Sequence, residues 1–512
     1  MLSRRAPVST LARPSEGRAS RLVMASNRGP VEHWFDGEGR IRRRDAAGGV
    51  ATALTSIARN EPVTWISSAA GEADRAVALL GRRLPVGEES YARLIDLPDG
   101  VFEPFYNAFC NPILWFVQHS LADLLGGRDL AAAAEASWRD GYVPANHLFA
   151  DAIIEELAGD GSGARVMLHD YHFYLAPRLI RIARPRVALQ QFIHIPWPEP
   201  EAWRALPAAL VVQICKGLLA NDSVVFQTET SVENFLATCR AFLCKQAQVL
   251  EREGMVERAG GRTYVWSNPI SVDVAELEAQ RALPLLAEYR GALAAAEDVQ
   301  TIVRVDRLDP SKNVAAGFEA FDLLLDRNPR LRGRVRFLAY LIPSRMEIAE
   351  YEDYAARVFA LIEAINEKYG SPDWTPITVF HENNRLQAFA GLAEYDVLLV
   401  NSLADGMNLV SKEGPVLNER DGVLALSVTA GSYDELRHGA IALDPADIAS
   451  TAAALATAIA MAPAERRQRA AALREAIAGH QLSDWLRQQL KDLSIATYVK
   501  EADRAARFAA AS

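Results

Sequence analysis

Residues 300–325 read QTIVRVDRLDPSKNVAAGFEAFDLLL. The run Gln300–Val305 is rich in β-branched residues, as a strand favours. From Val314 to Leu325 apolar residues recur at helical spacing. Between the two lies a short polar loop carrying Arg307, Asp309 and Lys312. The next apolar run, Val335–Leu341, follows after a further break. Strand, helix and strand in this order form a βαβ unit.

The same alternation extends in both directions. Upstream the runs are Leu22–Ala25, Val63–Ile66, Val166–Leu168, Ala188–Ile193 and Val224–Phe226. Downstream they are Ile377–Phe380, Val397–Val400, Val423–Ser427 and Ala440–Leu443. Runs that are apolar throughout, separated by helical patterns such as Ile348 to Lys368, imply parallel strands covered on both faces. The fold class is therefore α/β, with doubly wound sheets, and two sets of runs imply two similar domains. The break falls at Ser267-Asn268-Pro269, where a strand-like run meets a proline. The expected division is a disordered tail over 1–20, a first domain over 21–268 and a second over 269–484. The helical stretch 485–512 is expected to return to the first domain.

The length of 512 residues agrees with more than one domain, at roughly 150 residues each. Half the residues are hydrophobic and 23% are charged, which excludes global disorder. The net charge of −10 argues against nonspecific nucleic-acid binding, since that needs a basic surface. Four cysteines at 110, 215, 239 and 244 are too few and too irregular for a disulfide framework, and fit reduced thiols in a cytoplasmic protein. No stretch reaches 18 uninterrupted apolar residues, so no membrane span is expected, and the Ala-rich segment from Ile448 reads as a packed helix. Arginines among the first 20 residues are not followed by an apolar stretch, so no targeting peptide is expected.

In doubly wound sheets ligands bind beyond the carboxyl ends of the strands, so the loops after each run carry the chemistry. After Leu168 comes His169-Asp170-Tyr171-His172, and after Ile193 come His194, Pro196 and Pro198. Arg307 and Lys312, five residues apart at the start of a helix, suit a diphosphate held without a metal. Ser344 and Arg345 follow the next run. Asp405-Gly406-Met407-Asn408-Leu409 leads into another helix, where Gly406 lets backbone approach a phosphate or sugar. Glu413, eight residues after Asp405, can accept ribose hydroxyls. The turn Ser26-Asn27-Arg28 and the pair Gly48-Gly49 lie at a strand-to-helix transition suited to a diphosphate or sugar. Each feature alone is also compatible with an ordinary surface or a core packing role.

Absent motifs exclude other chemistries. There is no G-x-x-x-x-G-K-S/T loop, no dinucleotide fingerprint G-x-G-x-x-G, no H-E-x-x-H and no G-x-S-x-G elbow. His169 and His172 lack a third ligand at zinc spacing. No D-x-D pair occurs, which disfavours a transferase holding its nucleotide sugar through a metal. Neither a metal nor a cofactor is expected.

Taken in order, these motifs resemble the retaining trehalose-6-phosphate synthases, glycosyltransferase family 20. The likeness runs from about Arg21 to Asp492. It rests on Ser26-Asn27-Arg28, Gly48-Gly49, Tyr106-Asn107 with Trp115, His169-Asp170-Tyr171-His172 and His194-Ile195-Pro196-Trp197-Pro198. It continues through Arg307-Leu308-Asp309 with Ser311-Lys312, Ser344-Arg345, and Asp405 to Val410 with Lys412-Glu413. The resemblance implies a GT-B architecture, two facing Rossmann-like domains with a cleft between them. The first domain would bind the acceptor and the second the nucleotide sugar.

It also implies roles. Arg307 and Lys312 would hold the donor diphosphate, helped by Met407, Asn408, Leu409 and Val410. Glu413 would take the ribose. His194 and Asp405 would contact the transferred glucose, with Gly48 and Gly49 behind it. Arg28, Tyr106, Trp115, Asp170 and Arg345 would bind glucose 6-phosphate, the two arginines on its phosphate. The group expected to act in catalysis is Asp170, His194, Arg307, Lys312 and Asp405. The implied reaction moves glucose from UDP-glucose or GDP-glucose to glucose 6-phosphate with retention, giving trehalose 6-phosphate. It would proceed on the front face and without a metal.

The resemblance leaves the nucleobase open around His381-Glu382-Asn383-Asn384. A related branch that makes C–N links from a cyclitol donor lacks the arginine after the first strand, and Arg28 is present here. The stretch from Pro30 to Ala47 is longer and more basic than in familiar members, with Arg40, Arg42, Arg43 and Arg44. Two rivals stand beside the main reading: a transferase with another acceptor, such as a glucosylglycerol-phosphate synthase, and a non-catalytic sugar-phosphate sensor. The expected partners are the small-molecule substrates, with no nucleic acid and no membrane, and a homo-oligomer is compatible with the sequence.

Overall fold

The computed structural model describes residues 22–45, 54–55, 58, 62–81, 83–126, 129–157, 159, 161–293 and 298–511, the side chains of 45 and 503–511 excepted. The chain divides into two compact units: Met1–Gln118, Gly127–Asn268 and Leu486–Ser512 form one, His119–Gly126 and Pro269–Trp485 the other.

The first unit contains β1 (Leu22–Ala25), a hairpin of β2 (Val31–Phe35) and β3 (Ile41–Asp45), β4 (Val63–Ser68), β5 (Leu84–Pro85) and β6 (Tyr91–Ile95). Then come β7 (Arg165–His169), β8 (Ala188–Ile193), β9 (Ser223–Phe226), β10 (Ala247–Leu250), β11 (Met255–Arg258) and β12 (Gly261–Ser267). The main sheet runs β10-β11-β12-β9-β8-β7-β1-β4-β6-β5. From β12 to β6 every neighbour pair is parallel, and antiparallel strands close both edges. β1, β4, β8 and β9 are buried at every residue, as the uninterrupted apolar runs require.

The sequence did not mark β6, β10 or β11. β6 alternates exposed and buried residues, and β10 and β11 carry polar or charged residues, so none reads as an apolar run. The basic stretch after Pro30, read from sequence as a loop, folds instead as the β2–β3 hairpin through residue 45; Ala46 and Ala47 lie outside the described residues. Its arginines are largely paired: Arg40 and Arg42 bond Asp36, and Arg44 bonds Glu32. His33 ties the hairpin to Asp74 through both its backbone N–H (2.9 Å) and its ring (2.7 Å).

The second unit contains β13 (Gln300–Arg307), β14 (Val335–Ile342), β15 (Ile377–Phe380), β16 (Val397–Val400), β17 (Val423–Ser427) and β18 (Ile441–Leu443). Its order is β15-β14-β13-β16-β17-β18, parallel throughout. In chain order this is the 3-2-1-4-5-6 pattern of a Rossmann sheet. Successive strand residues point to opposite faces. Ile302, Phe337 and Leu399 therefore join Phe318, Phe321 and Leu324 in one core, while Val303, Leu338 and Leu398 join Phe389 and Leu392 in the other. The Ala-rich helix Ile448–Ala460 buries Leu455 and Ala458 in the first of these cores. Among the described residues no single helix is long and apolar enough to cross a membrane.

Candidate functional site

In the Rossmann order the direction of winding reverses between β13 and β16, where a crevice opens beyond the strand ends. Lys312 follows β13 and Asp405 follows β16, and their side chains form an ion pair there. Arg304 fixes the β13 loop from below. Its guanidinium is wholly buried, pairs with Asp306 at 2.8 Å, and donates to the carbonyls of Val314 (3.1 Å) and Lys312 (3.2 Å) and to Asn401 Oδ1 (3.2 Å). Gly317 makes room for it, since a Cβ there would lie 2.3 Å from Arg304 Nη1.

Asp405 is held on three further sides. Ser402 Oγ donates to it at 3.3 Å and Asn408 Nδ2 at 3.0 Å, while its N–H donates to the carbonyl of Thr429 at 3.3 Å. Burial alone would raise its pKa, but Lys312 and Asn408 outweigh that and hold it below the ordinary carboxylate value. Asn408 takes a positive φ of 74°, and its Oδ1 accepts from Ser411 N–H at 3.0 Å. Helix Val410–Leu417 starts here, and the Leu409 carbonyl accepts from the first-turn N–H groups of Lys412 (2.9 Å) and Glu413 (2.8 Å). Met407 is buried, with its carbonyl accepting from Ser432 N–H at 2.8 Å. Glu413 lies in the first turn, 3.6 Å from Arg385, and burial raises its pKa against that cation. The neighbouring Lys412 is a brace: wholly buried, it bonds the carbonyl of Ile270 at 2.9 Å and Glu435 at 3.0 Å.

Asp309 organises a second basic group. It is fully buried, accepts from Ser311 N–H and Oγ, and pairs with Arg345 at 3.1 Å and Arg307 at 3.7 Å. Burial would raise its pKa, but Arg307 and Arg345 hold it below the ordinary value. Arg345 itself has a φ of 52° and reaches the Tyr351 hydroxyl at 2.6 Å. Such backbone strain in a well-held residue often marks a functional position.

In the first unit the corresponding edge is formed by β1, β7, β8 and β9, which are adjacent. Arg28 stands exposed on the turn after β1. Ser26 shapes that turn by donating to the Arg28 carbonyl at 2.6 Å, and Trp65 Nε1 donates to Ser26 at 2.7 Å. Asp170 follows β7 with a φ of 75°, and its carboxylate accepts from the His194 N–H at 3.2 Å. The His194 ring is buried between Gln227, whose amide nitrogen lies 3.3 Å from Nδ1, and His169, whose Nδ1 lies 3.2 Å from Nε2. Burial pushes His169 down to about 3 and, with His169 beside it, pushes His194 well down too, so both rings are neutral at pH 7. Tyr106 stacks on His172 at 6.1 Å, and Trp115 meets Tyr171 edge-on at 5.6 Å.

Within the first unit the structure thus brings Asp170 and His194 together, with Tyr106 and Trp115 packed on the same loop after β7. Within the second it joins Lys312, Asp405 and Asn408, and links Arg307 to Arg345 through Asp309. Gly48 and Gly49 lie outside the described residues. Sequence reasoning missed Arg304, Arg385 and Gln227, and gave His169 a place in a motif but no role beside His194. A charged residue inside an apolar run was the available signal for Arg304. Among the described residues no group of three or more His, Cys, Asp or Glu side chains is placed to hold a metal ion.

Two α/β units with parallel sheets, each gathering polar side chains beyond its strand ends, define the class of GT-B glycosyltransferases. Residues 20–495 match the model of "Glycosyltransferase family 20", and the chain belongs to that family. A trehalose-6-phosphate synthase of Sinorhizobium fredii is 32% identical over 494 residues, 93% of this chain and 98% of that protein. A validamine 7-phosphate valienyltransferase of Streptomyces hygroscopicus is 30% identical over 96% of both chains. Other curated relatives are longer, and the chain spans only 50–58% of three of them. Among solved structures, the E. coli trehalose-6-phosphate protein bound with UDP-2-fluoro glucose superposes with a TM-score of 0.79 at 27% identity, covering 93% of this chain and 99% of that one. A UDP-forming alpha,alpha-trehalose-phosphate synthase of Burkholderia xenovorans in complex with glucose-6-phosphate gives 0.77 at 26% identity, covering 93% and 100%.

Proposed function

We propose that the protein is a retaining glucosyltransferase that moves glucose from a nucleotide-diphospho-glucose to glucose 6-phosphate, forming trehalose 6-phosphate. The observation that carries this reading is the Lys312–Asp405 pair at the crevice between β13 and β16, with Arg307 at the end of β13. Cations for a diphosphate and a carboxylate for a sugar hydroxyl stand together there. Relatives solved with a UDP-sugar and with glucose-6-phosphate support the two substrates.

In this reading the glucosyl C1–O bond to the diphosphate breaks, and a C1–O bond to the acceptor hydroxyl forms on the same face. The acceptor proton passes to the leaving phosphate oxygen. Arg307 and Lys312 stabilise the charge that develops on the diphosphate, and Asp405 and neutral His194 orient the glucose. Glu413 takes the ribose, and the N–H groups around Asn408 to Val410 face the phosphates. Arg28 and Arg345 are assigned to the acceptor phosphate, with Tyr106, Trp115 and Asp170 on its sugar.

A panel of UDP-, GDP- and ADP-glucose with glucose 6-phosphate tests the donor, read as nucleoside diphosphate released. Release from none of the three would refute the reading. A second reading, with a different acceptor, is favoured by the equally similar valienyltransferase. A panel of phosphorylated acceptors, with each product weighed, separates the two.

A further inference from the structure

The amino-terminal edge of the second unit's sheet holds a cavity of about 470 Å³. It is lined by Gln300 at the start of β13, Arg330 and Arg334 ahead of β14, Asp396 ahead of β16, Arg420 ahead of β17, and Arg466 of helix Pro463–Ala478. The groups assigned to the donor lie at the other ends of the same strands, so this cavity is outside the site described above. Its volume falls in the range of small-molecule pockets, about 300–1,000 Å³.

We propose that this cavity binds a small phosphate-bearing anion, held by Arg330, Arg334 and Arg420. Its walls carry four guanidinium groups against two carboxylates, Asp298 and Asp396, in a chain whose net charge is −10. Asp396 is already committed: it accepts from Arg466 at 3.0 Å and from Thr301 N–H at 2.8 Å. Arg466 is a brace, donating also to the carbonyls of Asp421 and Arg420. No such role accounts for Arg330 and Arg334. Among the described residues neither guanidinium has an ion pair or hydrogen bond, and both side chains are exposed beside the opening. Arg420 reaches Asp396 and Glu394 only at 3.5 Å and 3.7 Å. Planar guanidinium forks match the paired oxygens of a phosphate, which makes arginine the residue suited to this ligand.

Isothermal titration of the full chain with inorganic phosphate tests the site. The variant R28Q/R307Q/K312Q/R345Q removes every cation assigned above to a substrate phosphate, and phosphate binding that survives in it reports the cavity. Adding R330Q/R334Q should weaken that remaining binding by about tenfold or more, the loss expected for charged hydrogen bonds. R330Q/R334Q alone should keep the wild-type thermal midpoint and the phosphate-free transfer rate, which separates this site from the reaction proposed above. Repeating the titration with glycerol phosphate distinguishes a free phosphate from an ester, whichever binds more tightly. The proposal is overturned if R28Q/R307Q/K312Q/R345Q binds no phosphate, or binds it equally well after R330Q/R334Q is added.

Discussion

The guanidinium of Arg345 lies 3.1 Å from the carboxylate of Asp309, which has no solvent exposure of its own. Asp309 also faces Arg307 at 3.7 Å, so one buried carboxylate positions two cations from two strands. This places the cation assigned to the acceptor phosphate and one assigned to the donor diphosphate on a common anchor.

Arg345→Ala should raise the acceptor KM roughly ten- to hundredfold, since hydrogen bonds to charged groups are worth about 1.5–3 kcal/mol. Steady-state kinetics with varied glucose 6-phosphate checks this, and an unchanged acceptor KM would remove Arg345 from that role. Asp309→Asn keeps the shape but loses the charge, so it should raise the acceptor KM in the same direction.

Lys312→Ala should lower kcat by about ten- to hundredfold, on the same magnitude for a charged contact. It also leaves Asp405 without its cation, so the carboxyl pKa must rise. A carboxylate with a depressed folded pKa contributes stability above its unfolded value, and that stability is lost as pH falls through the folded value. The acid limb of unfolding should therefore move to higher pH in the variant. Urea titrations between pH 3 and 7 read the shift, and coincident profiles would mean that the pair does not depress Asp405.

Gly317→Ala sets two effects against each other. Helix propensity favours alanine by about 1 kcal/mol. Overpacking against Arg304 Nη1, 2.3 Å from the new Cβ, costs about 1–3 kcal/mol because five bonds hold that guanidinium in place. The variant should be less stable and slower, since the displaced arginine carries the Lys312 loop. A gain in the urea midpoint would contradict this.

His169 gives a further pH signature. Its folded pKa of about 3 lies below the ordinary 6.5 because burial disfavours the imidazolium. Between these values the unfolded chain binds more protons, so stability is complete above 6.5 and falls as pH drops toward 3. A His169→Gln variant should lose stability less steeply over that window. A wild-type slope in the variant would show that His169 does not carry the effect.

The fold was legible because its strands are buried on both faces and announce themselves as apolar runs. β13, β14, β16 and β17 fall where the runs fall. The flanks of the first unit's sheet were not legible, because β6, β10 and β11 meet solvent and carry polar residues. The candidate site was legible as motifs in the loops after the strands. Its supports were not: Arg304 and Gly317, or His194 and Gln227, are neighbours only once the sheet is assembled. Lys412 was legible only as part of a motif, and its bracing role shows in its burial and its bond to Glu435.

The most direct test of the central claim is nuclear magnetic resonance of the product formed from the active nucleotide-glucose donor and glucose 6-phosphate. The account predicts a phosphorylated disaccharide joined through both anomeric carbons, with the donor glucose still in the α configuration. A β-configured product, or free glucose with no disaccharide, would contradict it.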